Sequence, residues 1–500
     1  TPEIPEDTEE MPEVLGNPVK QTTYRAVKDW EKRYAFSTKP VASPIPDVKT
    51  TPVFYLPQAI GFSIARVLGL GAMGLLFLGK FLNLCCYVAL TALAVRTAPI
   101  GKSCFAAAGL LPMSLHLAAS LSYDAGLIGC VFLFTALVFK LAYGTEEIRA
   151  RELIALCALA ALFGPCKLVY APLILLALLI PARVFGGFGK KLLCILILLL
   201  SLVAAVLAVN ADVLEAYFFP AAAEQAGNVS ADMSHAGFTA AELFSHPFFT
   251  LRMLVNSFSA RLLNWGAEMI GMKFGNLDPL LGASGLQTLL FALGLVALTL
   301  ADSSGEKNYV LVPGGKAAWQ EEDAAVETET AVETATASEA LPEQESEANT
   351  EAALSTLSEQ ETAGEVLTAA TTEQVAEAAE TLREEEAAEE ALADEEKSGP
   401  HYMEVREPGR FARFYALLIG CISFFGILFA MLLAWTSRDA LWIEGVQGRY
   451  FLPLLPLFLF GLQNKTVQSE LPFKRLVPYG FVILNLCVGI RIFALAVLRV

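Results

Sequence analysis

The sequence predicts an all-α polytopic membrane protein: a bundle of about ten transmembrane helices, with interfacial amphipathic helices in its outer loops. Three observations predict it. Hydrophobic residues make up 55% of the 500, with 32 Phe among them, and the mean hydropathy is +0.52. Apolar runs recur at about 20 residues, the length that crosses roughly 30 Å of hydrocarbon. The net charge of −17 is also local: residues 301–410 carry 29 Asp and Glu against 6 Lys and Arg, a net −23, so the remaining body carries +6. A basic apolar body interrupted by one acidic stretch is the pattern of a membrane protein with a solvated insertion.

The chain divides into four parts. Residues 1–72 read as an extracytoplasmic loop and an interfacial helix. The first 51 are Pro-rich and polar, with a basic, aromatic middle (Tyr24, Arg25, Lys28, Trp30, Lys32, Arg33). The sequence begins at Thr1 in polar, acidic residues with no signal peptide or first span, so the expectation is that it starts within a loop and that at least one helix precedes it. Residues 51–71 hold Pro52, Pro57 and Arg66 in a short amphipathic run, which suits a helix lying in the interface.

Residues 73–302 read as a transmembrane core with an outer loop at 212–283, and 411–500 as further transmembrane helices. Spans are expected at about 73–96, 103–122, 124–143, 152–166, 168–182, 192–211, 284–301, 411–435, 450–463 and 475–498. Basic residues concentrate in alternate short connections (Arg96 and Lys102; Lys140, Arg149 and Arg151; Arg183, Lys190 and Lys191; Lys465, Lys474 and Arg475), which places these in the cytoplasm. Residues 1–71, Asp124, the 212–283 loop and 437–449 then face outward. Spans 152–166 and 168–182 are short, about 22 Å each at ~1.5 Å per residue. They are joined by Gly164-Pro165-Cys166-Lys167, so Lys167 sits either in a protein-lined cavity or at the tip of a tilted hairpin, snorkelling outward.

Within the outer loop, residues 245–271 carry apolar residues at helical spacing, with Arg252, Arg261 and Glu268 on the other side. They read as amphipathic helices on the outer face. Asn228-Val229-Ser230 is a glycosylation sequon by pattern only. Residues 303–410 read as an acidic low-complexity cytoplasmic insertion. Its centre, 320–397, is too poor in large apolar residues to fold alone, and it reads as a tether or solvated insertion.

Chemistry centres on residues 111–125, LPMSLHLAASLSYDA, where Asp124 stands at the mouth of an apolar run. A carboxylate there is costly unless it faces a cavity or a partner, which makes it a candidate functional group; the plainer reading is an N-cap by Ser122 or Asp124. Lys80, Lys167 and Arg449 converge on the same side, with Arg438, Asp439 and Glu444 in the loop before Arg449. Several charges at one depth indicate mutual pairing or an anionic ligand, and Arg and Lys are the usual counterions of a lipid-linked phosphate. Pairing of Asp124 with Lys80 or Lys167 merely to lock helices is the structural alternative.

Other chemistries find no support. The nine cysteines (85, 86, 104, 130, 157, 166, 194, 421 and 487) all lie within or beside apolar segments without metal spacing, so neither a disulfide framework nor a zinc site is expected. There is no dinucleotide fingerprint, P-loop, GxSxG or HExxH. His116, among Leu and Ala, reads as a core histidine; His235, His246 and His401 lie in loops without metal-ligand partners. Basic loop residues are too few and too mixed with acid to bind nucleic acid.

The succession TPVFYLPQAIG, GKFLNL, LPMSLHLAASLSYDAG, GPCKLVYAPL, SHPFFTLRMLVNSF…IGMKFGNLDPLL and GVQGRYFLPLLP, spanning about 51–460, resembles the bacterial "domain of unknown function 2142" family. That family is grouped with the GT-C glycosyltransferases, which use polyprenyl-phosphate-linked sugar donors at the outer membrane face. The resemblance implies a multi-pass protein of the bacterial plasma membrane. It would transfer a hexosyl or pentosyl group to a glycan or other cell-envelope acceptor. It also implies an acidic general base in a first outer loop and a second acid at a later outer helix start. Asp124 matches the second position. The first motif is absent, since Glu3, Glu6, Asp7, Glu9 and Glu10 lack its Pro-Asp-Glu pattern.

Lys167 and Arg449 fall where such enzymes hold the lipid phosphate. With Lys80, Tyr170, Arg438, Gln447 and Tyr450 they form the candidate substrate-binding set. The implied reaction is inverting: a carboxylate deprotonates the acceptor hydroxyl and cations stabilise the departing phosphate. A monophosphate donor needs no metal, whereas a pyrophosphate donor would call for Mg²⁺ held by Asp124 and further acids. The alternative is a non-catalytic protein, either a lipid-linked glycan transporter or an envelope-assembly scaffold.

Overall fold

A computed structural model describes residues 52–145, 147–218, 238–274, 282–300, 406–463 and 471–495, with the short pieces 3–5, 39–42, 309–311 and 402–404. The basic, aromatic stretch near Trp30, the sequon, and the acidic centre at 320–397 lie outside the described residues. The chain divides into two units, Thr1–Asn308 with Glu404–Val500, and Tyr309–Met403. In the first, β1 (Glu3–Pro5) pairs antiparallel with β2 (Pro40–Ala42).

The helices of the first unit begin with a 3-10 turn (Pro52–Tyr55) running into α1 (Leu56–Val67). Next come α2 (Ala72–Thr97), α3 (Lys102–Gly109), α4 (Pro112–Ala118), α5 (Asp124–Tyr143) and α6 (Ala150–Cys166). A 3-10 helix (Leu168–Leu179) precedes α7 (Phe188–Phe218), α8 (Ala240–Ser245), α9 (Pro247–Ile270) and α10 (Gly285–Thr299). After β3 (Tyr309–Leu311) and β4 (Tyr402–Glu404), which pair with each other, come α11 (Arg410–Ala434), a 3-10 helix (Gly448–Leu454), α12 (Leu455–Leu462) and α13 (Phe473–Phe493).

Five described helices are long and apolar enough to cross a membrane: Ala72–Thr97, Asp124–Tyr143, Phe188–Ala211, Arg410–Ala434 and Phe473–Phe493. The other five expected spans take different forms. The 103–122 run is broken at Leu111 by Pro112 into α3 and α4, because proline lacks the N–H a continuing helix requires. Segments 152–166 and 284–301 are helices of 17 and 15 residues. Residues 168–182 and 450–463 are wholly or partly 3-10, each with an internal proline, Pro172 and Pro453. The tighter winding rises about 2 Å per residue, so twelve residues reach about 24 Å, where an α-helix would give 18 Å. The expected shortness of 168–182 is thereby partly offset.

Helix α5 is the centre of the bundle. Eighteen of its 20 residues are buried, so its all-round apolar surface meets protein on every side. Gly126 receives the Phe54 ring and Gly129 receives Leu90 of α2, close approaches that any side chain would block. Helix α6 returns antiparallel, with the Cys130 thiol meeting the Leu159 carbonyl midway. Helix α7 then runs alongside α6: Ser201 Oγ donates to the Cys157 carbonyl at 3.0 Å and Asn210 Nδ2 to the Pro165 carbonyl at 2.8 Å. The second bond satisfies a carbonyl that the end of α6 leaves without an intrahelical partner. Asn210 itself marks a kink in α7, at φ −116° and ψ 19°.

Helix α9 covers most of the 245–271 stretch expected to be helical. Its apolar residues Leu251, Val255, Leu262 and Leu263 are exposed, while Ser257 and Trp265 are buried and Arg261 and Glu268 line an internal cleft. Its two sides are mixed: Arg252 and Asn264 are exposed as well, and Met253 and Ile270 are buried beside Ser257 and Trp265. The arrangement suits an outward surroundings of lipid, for which a leucine is as well matched as it is to a core.

Candidate functional site

Asp124 occupies the first turn of α5, where the aligned peptide dipoles favour a carboxylate. The capping reading does not hold in its simple form: Tyr123 is the N-cap residue and no side chain caps the helix. Ser122 contributes instead a local turn, its Oγ accepting the Asp124 backbone N–H at 3.1 Å. The carboxylate faces two cations. Lys167 Nζ lies 2.7 Å from Oδ1 and Arg449 Nη1 3.6 Å from Oδ2. The Asp124 side chain is 7% exposed, Lys167 19% and Arg449 32%. Two cations thus share one carboxylate, leaving a surplus of positive charge at a partly open position.

Each partner is placed by an irregular piece of backbone. Lys167 follows Pro165 and sits in extended conformation (φ −152°, ψ 99°) between α6 and the 3-10 helix. Arg449 and Tyr450 belong to the second 3-10 helix. Tyr170 ties the two together, its hydroxyl donating to the Tyr450 carbonyl at 2.7 Å. Non-helical backbone at this depth is tolerated where protein or a water-filled cavity surrounds it. Lys167 Nζ lies 4.3 Å from the centre of the Tyr450 ring and 5.5 Å from that of Tyr123, close enough for cation–π attraction. Tyr55 packs on Tyr123 with ring centres 5.8 Å apart. Burial, and then the Asp124 charge, raise the Tyr55 and Tyr123 hydroxyls above their usual range, so both stay protonated donors.

The loop preceding Asp124 is held by residues that the sequence did not single out as site residues. Buried Asn83 of α2 donates to the Ser120 and Ser122 carbonyls at 2.9 and 3.2 Å, and its amide meets that of buried Gln58 at 3.0 Å. On the other side, Gly448 presses against α9 so closely that a Cβ would collide with the Trp265 carbonyl and the Met269 amide. The Gly448 N–H donates to Glu268 Oε2 at 3.2 Å. Phe451 packs on Phe424 and Trp265, with ring centres 4.5 and 5.9 Å away. These contacts fix the 3-10 helix that carries Arg449.

Beyond Arg449 opens a cleft of about 310 Å³, lined among others by His116, Arg261, Glu268, Lys273, Gln447 and Arg449. His116 departs from the core reading: it is only partly buried, lines the cleft and stacks on Phe274 at 4.5 Å.

The candidate residues therefore separate. Asp124, Lys167, Tyr170, Arg449 and Tyr450 come together, and Gln447 lines the adjoining cleft. Lys80 makes no ion pair among the described residues. Arg438 is elsewhere, its guanidinium 3.0 Å from Glu242 Oε1 and 66% exposed. Glu444 accepts from Ser437 within its own loop. Arg261, Glu268 and Lys273 were not singled out as site residues, because a charged stripe on an amphipathic helix reads by default as solvated.

A bundle of long apolar helices with this arrangement defines an integral membrane protein. The chain belongs to the family of predicted membrane proteins DUF2142, whose model matches residues 24–312. That stretch includes Asp124, Lys167 and the α9 residues but stops short of Arg449, so it is narrower at its end than the resemblance over 51–460. No curated protein and no solved structure matches the chain.

Among the described residues, no three His, Cys, Asp or Glu side chains form a metal cradle. Both oxygens of Asp124 face cations instead. These residues do not fit a Mg²⁺ site.

Proposed function

We propose that the protein is a GT-C-like glycosyltransferase whose ten apolar segments traverse a bacterial plasma membrane. It would transfer a sugar from a polyprenyl-phosphate-linked donor to a cell-envelope acceptor at the outer face. The observation carrying this reading is the Asp124 carboxylate shared by Lys167 and Arg449, the second of which also lines a cleft. Arg449 has donor capacity to spare: its Nε is buried without a hydrogen-bond partner among the described residues. The donor's phosphodiester carries one negative charge and gains a second as it departs, so it engages both cations through charge-assisted bonds, which are among the strongest available.

In the proposed reaction the donor phosphate engages Lys167 and Arg449, and Asp124 is released from its pairing. Asp124 then accepts the proton of the acceptor hydroxyl as that oxygen attacks the anomeric carbon. The bond between the anomeric carbon and the phosphate oxygen breaks, and the electron pair leaves with the polyprenyl phosphate. Lys167 and Arg449 stabilise the charge that develops there. The protonated tyrosine hydroxyls of Tyr55 and Tyr123 stand ready to orient sugar oxygens.

The short Lys167–Asp124 pair also fits the non-catalytic reading, in which the ion pair joins α5 to α6 in a lipid-linked glycan transporter or scaffold. One experiment separates them: sugar transfer by the full-length protein in proteoliposomes supplied with labelled polyprenyl-phosphate sugars. Asp124→Asn is expected to abolish transfer while the protein still folds and binds polyprenyl phosphate. Transfer unchanged in Asp124→Asn would remove the carboxylate from the chemistry.

A further inference from the structure

The cleft on the far side of Arg449 has a charge balance that the transfer step does not use. Arg261, Lys273 and Arg449 line it against one carboxylate, Glu268. Glu268 is tied to the Gly448 N–H at 3.2 Å, while neither Arg261 nor Lys273 has an ion-pair partner among the described residues. Arg261 lies on the protein-facing stripe of a helix whose opposite face exposes Leu251, Val255, Leu262 and Leu263. A cation turned inward beneath an apolar outer face is expensive unless an anion or water meets it there. Gln447 and His116 add neutral polar groups and Phe274 supplies a ring stacked on His116. Concave, mostly preformed, with convergent polar groups and excess positive charge, the cleft has the features of a ligand site.

We infer that this cleft binds an anionic group, a phosphodiester or carboxylate, carried by the acceptor polymer. Arg261 and Lys273 grip it, and Arg449 stands between it and the donor phosphate. The description of the ligand as acceptor rests on the transferase reading; the anion site itself does not. Arg449 belongs to both sites, so an acceptor anion seated on Arg261 and Lys273 brings its chain to the edge of the Asp124 centre.

Binding tests this without any turnover. Full-length protein in nanodiscs is titrated with fluorescently labelled oligomers of poly(glycerol phosphate), oligogalacturonate and neutral dextran of matched length. At least one anionic oligomer is expected to bind roughly ten-fold or more tightly than dextran, and the favoured one identifies phosphate or carboxylate as the recognised group. The double variant Arg261→Gln/Lys273→Gln is expected to lose that preference. The charge-conserving pair Arg261→Lys/Lys273→Arg retains it, which separates lost charge from lost folding. No preference for either anion over dextran, or an undiminished preference in the Gln double variant, overturns the inference. Loss of transfer in Asp124→Asn with anion binding intact would support both readings, and intact transfer with anion binding would leave the cleft standing while the role of Asp124 fell.

Discussion

The two ends of α5 carry ion pairs of nearly equal length that do different work. At the C-terminal end Lys140 Nζ lies 2.8 Å from Glu152 Oε1. The other oxygen of Glu152 accepts the Arg149 backbone N–H at 3.1 Å, as the capping group of α6. One cation and one carboxylate are matched, and the carboxylate's remaining capacity goes to a helix end. At the N-terminal end, Asp124 meets two cations set on irregular backbone, with aromatic rings around Lys167 and an open cleft beyond Arg449. A matched pair that also caps a helix is structural; an unmatched one beside a cavity has charge available for a ligand. Distance alone would not have told them apart.

The largest expected effect comes from removing the shared carboxylate. Asp124→Ala leaves Lys167 and Arg449 facing each other, and is expected to cost about 2–3 kcal/mol, less than a fully buried pair because both cations keep some exposure. Thermal unfolding in detergent measures it. Next comes Gly448→Ala, which pushes a methyl group into the α9 backbone and is expected to cost about 1–3 kcal/mol. It should also disturb the Asp124 end selectively, visible as faster hydrogen exchange around 445–452 with the Lys140 end unchanged. Asn83→Ala strips two carbonyls of the 120–122 loop of their donor, at about 1–2 kcal/mol. Exchange there should rise in the same way.

Glu152→Gln probes the opposite end and is expected to cost only about 1 kcal/mol, the combined worth of a cap and a partly exposed pair, with any transfer activity retained. A comparable loss of function in Glu152→Gln and Asp124→Asn would erase the distinction between the ends.

The smallest effect is a pH dependence outside the membrane-spanning helices. The Glu242 carboxyl lies below its ordinary value, chiefly through the Thr239 backbone N–H and then Arg438. A lowered value in the folded state means its contribution is present above the unfolded carboxyl value and fades as pH falls through the folded one. Hydrogen exchange of α8 should therefore quicken on acidification below about pH 4.5, and Glu242→Gln should flatten that response.

How much of this was legible in the sequence varied with the kind of signal. The start of α5 at Asp124 was readable because a lone carboxylate at the mouth of an apolar run is rare and costly. Segment length and Gly164-Pro165 marked Lys167 as unusual but left it between a cavity and a snorkelling hairpin tip; only the structure pairs it with Asp124. The 3-10 windings were not readable: Pro172 and Pro453 announced irregularity without saying which kind. Which side of α9 packs on protein was not readable, because periodicity gives a helix its two sides, not which of them meets water, lipid or protein. Arg438 was grouped with Arg449 by proximity in the chain, yet the intervening loop sends it to Glu242 on the exposed side. Asn83 and Gln58 fall within GKFLNL and TPVFYLPQAIG, stretches that carry the family resemblance, but single amides in apolar runs have no spacing that assigns them a role.

The N-terminal end of α5 holds positive charge available to a phosphate, and the C-terminal end does not. Binding of a long-chain polyprenyl phosphate to full-length protein in nanodiscs tests it most directly. Lys167→Gln and Arg449→Gln are each expected to weaken binding roughly ten-fold, while Lys140→Gln leaves it unchanged. Equal affinity in all three variants and the unaltered protein would contradict the claim.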